Sequence, residues 1–242
     1  MLYSRSNNIA FCHFNLSKAN VKASSFNLKL PTANWLFAFL IVVLSSCAPK
    51  AYKNLQQTDG NADCLQKFQL KYERVLYRAT VDVVGNHLSG VLLIKQMPDS
   101  STRLLFTNEA GFKFFDFEFS KEGAFKVYSI IDKMDKESVK KTLQRDFQLI
   151  LMNKPLGFLK PYKFKIQNAN EHYFAYNEGE DFYYYITKPD CSQLLRMERG
   201  SSTKKVLEAF VSDMKNQVPD SIRIHHINFN FDISLKRIYD SE

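Results

Sequence analysis

From residue 68 to 131 the chain alternates apolar and polar side chains in short segments divided by turn signals. A period of two places successive side chains on opposite faces of a strand, so this stretch predicts a sheet. Val75, Tyr77, Ala79, Val81 and Val83 alternate with Leu76, Arg78, Thr80 and Asp82. Gly85-Asn86 turns the chain into residues 87–96, whose centre, Val91-Leu92-Leu93-Ile94, is apolar on both faces. Pro98-Asp99-Ser100, Asn108-Glu109-Ala110-Gly111 and Lys121-Glu122-Gly123 make three further turns, between strands at 103–107, 112–119 and 125–131. Strands joined by tight polar turns predict an antiparallel meander. In 112–119, Phe112 and Phe114 share one face and Phe115, Phe117 and Phe119 the other. Such a phase change predicts a β-bulge or a strand apolar on both sides, as a strongly curved sheet requires.

The period then changes. Over 136–152, Val139, Leu143, Phe147, Ile150 and Leu151 recur at helical spacing, opposite Lys140, Lys141, Gln144 and Arg145, with Asp135 as the expected N-cap. The loop at 154–161 contains the apolar run Leu156-Gly157-Phe158-Leu159. Its Leu156, Phe158 and Leu159 are candidates for contact with a membrane or partner. Strand patterns resume at 162–167, 172–176, 182–186, 193–198 and 205–211. A last strand is expected at 227–235, with Ile227, Phe229, Phe231, Ile233 and Leu235 inward. Ile222 and Ile224 lie on the opposite parity, so a bulge is expected at His225-His226. The chain reads as mainly β with one main helix: a curved antiparallel sheet, an open half-barrel, whose concave side the helix covers.

Several strands (91–94, 112–119, 182–186) are apolar on both faces, more than one helix can cover. The surplus points to an apolar ligand under the helix, with Phe115, Phe117, Phe119, Val139, Leu143 and Phe147 as candidate cavity residues. The alternative is that the 21 phenylalanines simply fill the interior.

The beginning of the chain carries an address. An uncharged apolar run, residues 35–44, follows Lys29 and ends in Leu44-Ser45-Ser46-Cys47. The run is too short to span a bilayer as a helix and has the layout of a secretory signal. Leu-Ser-Ser-Cys resembles the bacterial lipobox, which implies that Cys47 receives a diacylglyceryl group and becomes the mature N-terminus. On this reading residues 1–46 are a signal peptide with an N-terminal extension, 47–63 a lipidated flexible tether, and 64–242 a single β domain. Ala48 rather than Asp follows the cysteine, which by resemblance implies the outer membrane, periplasmic face. The first 46 residues hold four basic and no acidic side chains, so the net charge falls from +8 to +4 after cleavage. No run of Lys or Arg forms a stripe, so nucleic acid is not an expected partner. With Cys12 removed and Cys47 acylated, Cys64 and Cys191 remain. In an exported chain they are expected to pair; two buried free thiols are the alternative.

Chemistry-bearing motifs are sparse. His225 and His226 are adjacent and would point to opposite faces of a strand, which argues against one metal ion. Asp116 and Glu118 share a strand face and read as solvated rather than as an acid–base pair. Gly-x-Ser-x-Gly, phosphate-loop and His-Glu-x-x-His motifs do not occur. The expectation is a non-enzymatic protein with neither metal nor cofactor.

A lipidated N-terminus, a linker, a curved meander, one covering helix and further strands together resemble the LolA/LolB-type fold, over roughly 68–238. The Asn108-Glu109-Ala110-Gly111 turn, the Phe-rich strand with Asp116, and Arg145-Asp146-Phe147 also resemble uncharacterised Bacteroidota outer-membrane lipoproteins. The resemblance implies an open half-barrel that binds acyl chains or a lipoprotein ligand. A structural or protein-interaction module with a solid core is the alternative, its protein partner unknown.

Overall fold

The computed structural model describes residues 51–239, apart from 53, 60, 61, 84, 153–158, 165–169 and 202. Residues 1–50, and with them the signal segment and Cys47, lie outside the described residues.

The meander forms where the alternation places it. It comprises β2 (Arg74–Val83), β3 (Asn86–Gln96), β4 (Thr102–Thr107), β5 (Lys113–Phe119) and β6 (Phe125–Ile130). After α1 (Glu137–Leu151) come β7 (Lys160–Phe164), β8 (His172–Glu178), β9 (Asp181–Thr187), β10 (Leu194–Gly200), β11 (Lys205–Lys215), β12 (Val218–His226) and β13 (Phe231–Ile238). A short β1 (Leu55–Gln57) pairs antiparallel with β7. The described strands form one sheet in the order β1-β7-β8-β9-β10-β11-β12-β13-β2-β3-β4-β5-β6. The last strand therefore pairs with the first long one at the centre, and β6 and β1 are the two edges.

That order decides where the helix goes. β6 lies at one edge and β7 one strand in from the other, so the connection between them has to cross the open side of the curved sheet. The helix makes that crossing. Leu143, Phe147, Leu149 and Ile150 are at most 1 % exposed, and the Phe147 ring lies 5.7 Å from Phe115 on β5. From the other half of the sheet, the Tyr185 hydroxyl on β9 donates to the Leu149 carbonyl. The helix thus packs against both limbs of an unclosed half-barrel.

The β5 region is irregular where its phase change predicts. Register shifts fall between Phe106 and Thr107 against β5, and between Asp116 and Phe117 against β6. Phe115, Phe117 and Phe119 point inward and Phe112 is exposed. β3 carries a glycine at its centre because β4 ends against it: a Cβ on Gly90 would stand 1.9 Å from the Thr107 carbonyl oxygen.

Four expectations need correction. The parity slip at His225-His226 is not a bulge. β12 and β13 pair in continuous register, and residues 227–230 form the turn between them, leaving Ile227 and Phe229 exposed. A hairpin reverses parity without an extra residue, which the sequence pattern alone did not distinguish. Asp135 does not cap the helix: Lys136 is the N-cap residue, without a side-chain cap, and Asp135 pairs with Lys140 at 2.9 Å. Leu159 is buried rather than presented on a loop surface, while Leu156 and Phe158 lie outside the described residues. Finally, the stretch 51–63, aperiodic in sequence, is held: it contains β1, the buried Tyr52 and the start of a 3-10 helix, Asp63–Phe68.

Cys64, in that 3-10 helix, is disulfide-bonded to Cys191 in the β9–β10 turn, with Cα atoms 6.0 Å apart. The bond closes a loop of 127 residues and ties the N-terminal segment to the second limb of the sheet.

Candidate functional site

The aromatic side chains divide the interior. Phe115 and Phe117 stack at 4.3 Å, and Phe117 and Phe119 each lie 5.1 Å from Phe125. Together with Leu143 and Phe147 they form continuous core. Of the six candidate cavity residues, these five are packed against one another; Val139 alone stands on the wall of a cavity.

That cavity has a volume of about 400 Å³ and lies at the other end of the helix. Val83 and Leu88, flanking the β2–β3 turn, supply one wall. Ile131 and Met134 from the β6–α1 connection, Val139 from the first turn of α1, and Phe231 at the start of β13 supply the rest. Asn86, His87, Lys133 and Lys136 form a polar rim. The pocket exists because α1 starts only after a turn at 132–136, which leaves the end of the β2–β3 hairpin without a helix above it. Its size falls within the range of small-molecule sites, roughly 300–1,000 Å³, and its walls are of their usual apolar kind.

A buried ion network adjoins the pocket floor. The His226 ring stacks 4.8 Å from Phe231 and lies 4.6 Å from Phe229. Its Nε2 is 2.7 Å from Asp146 Oδ2, and both side chains are wholly buried. Asp146 Oδ1 accepts from Arg199 Nη2 at 3.1 Å. Arg199 also reaches Asp181, which pairs with Arg145 at 2.9 Å. The network joins α1 to β10 and β12. A carboxylate with no solvent contact requires such partners, because an isolated buried charge is very costly. Arg199 Nε and His226 Nδ1 have no hydrogen-bond partner among the described residues.

Sequence reasoning named neither Asp146 nor Arg199 as a site residue. A signal was present: Asp146 lies at i+3 from Leu143 and four before Ile150, on the apolar face of the helix. An acid there needs a buried cation, but which one cannot be read from one chain. His225, by contrast, points outward to Asp232 at 2.7 Å, so the two histidines do face opposite ways.

Asp116 and Glu118 are not simply solvated. Arg103 binds Asp116 through Nε and Nη2 at 2.5 and 3.0 Å and reaches Glu118 at 3.3 Å, beneath the Tyr128 ring. In the run Tyr183-Tyr184-Tyr185 on β9, Tyr183 and Tyr185 face the core, while Tyr184 stacks on Tyr52 at 4.2 Å on the outer face. There the Tyr52 hydroxyl donates to Glu198, which Arg196 and Lys205 also hold at 2.6 Å. Arg196 forks onto Glu171 and keeps its carboxyl below the ordinary glutamate value.

No family model and no curated protein matches this sequence. Solved structures similar to it include the following two. A LolA superfamily protein from Nitrosomonas europaea is 8 % identical, with 76 % of this chain and 96 % of that one covered and a TM-score of 0.44. A DUF1329 family protein from Desulfovibrio piger is 8 % identical, with 72 % and 88 % covered and a TM-score of 0.38.

Proposed function

We propose that the protein binds an acyl chain, or an apolar ligand of similar shape, in the pocket between the β2–β3 hairpin and the start of α1, and that it does so as a lipid-anchored protein of the cell envelope. One observation carries the reading: an apolar cavity of about 400 Å³ opens beside a helix that otherwise covers solid core. Burial of apolar ligand surface at about 25 cal/mol per Å² is the driving force. Binding and handling, without chemistry on the ligand, is the proposed activity. The lipobox-like Leu-Ser-Ser-Cys supports acylation of Cys47, and Ala48 in place of an Asp after it supports a place on the periplasmic face of the outer membrane.

Native mass spectrometry of the Cys47→Ala chain tests the ligand, with a copurifying lipid or uptake of added fatty acid expected. A chain that carries and takes up none contradicts the reading. Anchoring is tested separately: the wild type stays with membranes and Cys47→Ala leaves them. A second reading, an interaction module, is favoured by the packed phenylalanine end and by exposed Ile227 and Phe229.

A further inference from the structure

We propose that the convex face of β11, β12, β13 and β2 is a docking surface for anionic phospholipid head groups. The strand register assembles it. Ile222, Ile224, Ile233, Leu235, Ala79 and Val81 face the core, so the residues between them face outward. Lys236 stands directly opposite Arg78, and Arg223 directly opposite Ser234, which in turn faces Thr80. Arg223 and Lys236 are diagonal neighbours, a separation of about 7–8 Å that long side chains bridge. Three exposed cations from three adjacent strands therefore surround the Ser234 and Thr80 hydroxyls, in an open groove of about 710 Å³.

Among the described residues the charge is uncompensated within the groove. Its one lining carboxylate, Asp220, is already held by Lys215 at 3.2 Å and Arg237 at 3.9 Å. Like charges directly opposite on neighbouring strands are unfavourable. One row along the same face the opposite solution appears: His225 pairs with Asp232 and His87 with Asp82. The cationic rows are the ones left for an anion from outside. Phe210, opposite Arg223, and Tyr239, beside Arg237, are exposed aromatics of the kind that settle at a head-group interface.

The position of the N-terminal segment selects a lipid surface as the occupant. Tyr52 packs on the outer side of β8 and β9, with β10 between them and β11, and the Ala51 amide bonds the Thr203 carbonyl in the β10–β11 turn. Ala51 stands four positions after Cys47, a reach of at most about 14 Å. An acylated Cys47 would bring this face down onto the membrane. This step rests on the anchoring reading; the charge argument does not.

The test uses the full chain with phosphatidylcholine vesicles, with and without phosphatidylglycerol. Its apolar leader is expected to bind both kinds, so the readout is the ratio of the two affinities and its dependence on salt. The wild type should prefer the anionic vesicles, less so at high salt, and each of Arg78→Ser, Arg223→Ser and Lys236→Ser should lower the ratio about fivefold. Lys121→Ser, an equal charge loss in the β5–β6 turn, should leave it unchanged. Because like charges are being removed, the variants should melt no lower than the wild type. If one does, the Arg→Lys and Lys→Arg exchanges take its place and should retain the ratio. A ratio that survives the triple substitution overturns the proposal. So does a preference that inorganic phosphate abolishes where sodium chloride of equal ionic strength does not, which marks a soluble-phosphate site. If Cys47 proves not to be acylated while the ratio behaves as stated, only the anchoring reading fails.

Discussion

The two ends of the concave interior are built from the same kind of residues and come out differently. At the β5 end, five side chains from strand and helix (Phe115, Phe117, Phe119, Leu143 and Phe147) interlock. At the β2–β3 hairpin end, Val83, Leu88, Met134 and Val139 surround open space. The difference lies in where the helix starts, not in hydrophobicity. Apolar strand faces are necessary for a ligand site, but only the stretch the helix leaves uncovered is available to a ligand.

The largest expected effect breaks the tie that holds the helix across both ends. Asp146→Ala leaves the buried Arg199 with only its longer contact to Asp181 and strips His226 of its partner, and should cost about 3–5 kcal/mol, read by urea denaturation. Truncation then contrasts the ends directly. Phe117→Ala should cost about 3–5 kcal/mol, whereas Val139→Ala, on a cavity wall, should cost about 1 kcal/mol or less. Equal costs would mean that the open end is packed. Opening the Cys64–Cys191 bridge, by Cys→Ser at both positions, should cost about 2–4 kcal/mol without affecting ligand uptake.

How much of this was legible beforehand follows from range. The meander strands, the helix and the β5 irregularity are local patterns, and residues 74–151 announce them. The Asp146–Arg199–His226 network joins residues 53 and 80 positions apart, and a pattern read along one chain has no means of pairing them. The same holds for the cationic face: Arg78, Arg223 and Lys236 form no stripe in sequence because the register, not the chain, places them side by side. Of the expected cavity residues only Val139 lines the pocket, since face counting locates surplus apolar surface but not the place where the helix stops covering it.

A smaller effect comes from pH. Glu171 is held below its ordinary value of 4.5 chiefly by the Arg196 hydrogen bond, against a desolvation penalty. A depressed carboxyl contributes stability that is fully present above the unfolded value and is lost as pH falls through the folded one. Acidification below about pH 4.5 should therefore loosen the outer network around Tyr52 and Glu198 before the phenylalanine end yields. Glu171→Gln should remove that part of the acid sensitivity, read by thermal melts at stepped pH.

The central claim, that one end of the interior is a ligand site and the other is core, is tested by placing a tryptophan reporter at each. Leu88→Trp stands in the pocket, and Phe125→Trp stands against Phe117 and Phe119. On titration with a long-chain fatty acid, Leu88→Trp emission should shift and saturate, while Phe125→Trp emission should stay constant. A constant signal at both positions, or an equal response at both, would contradict the account.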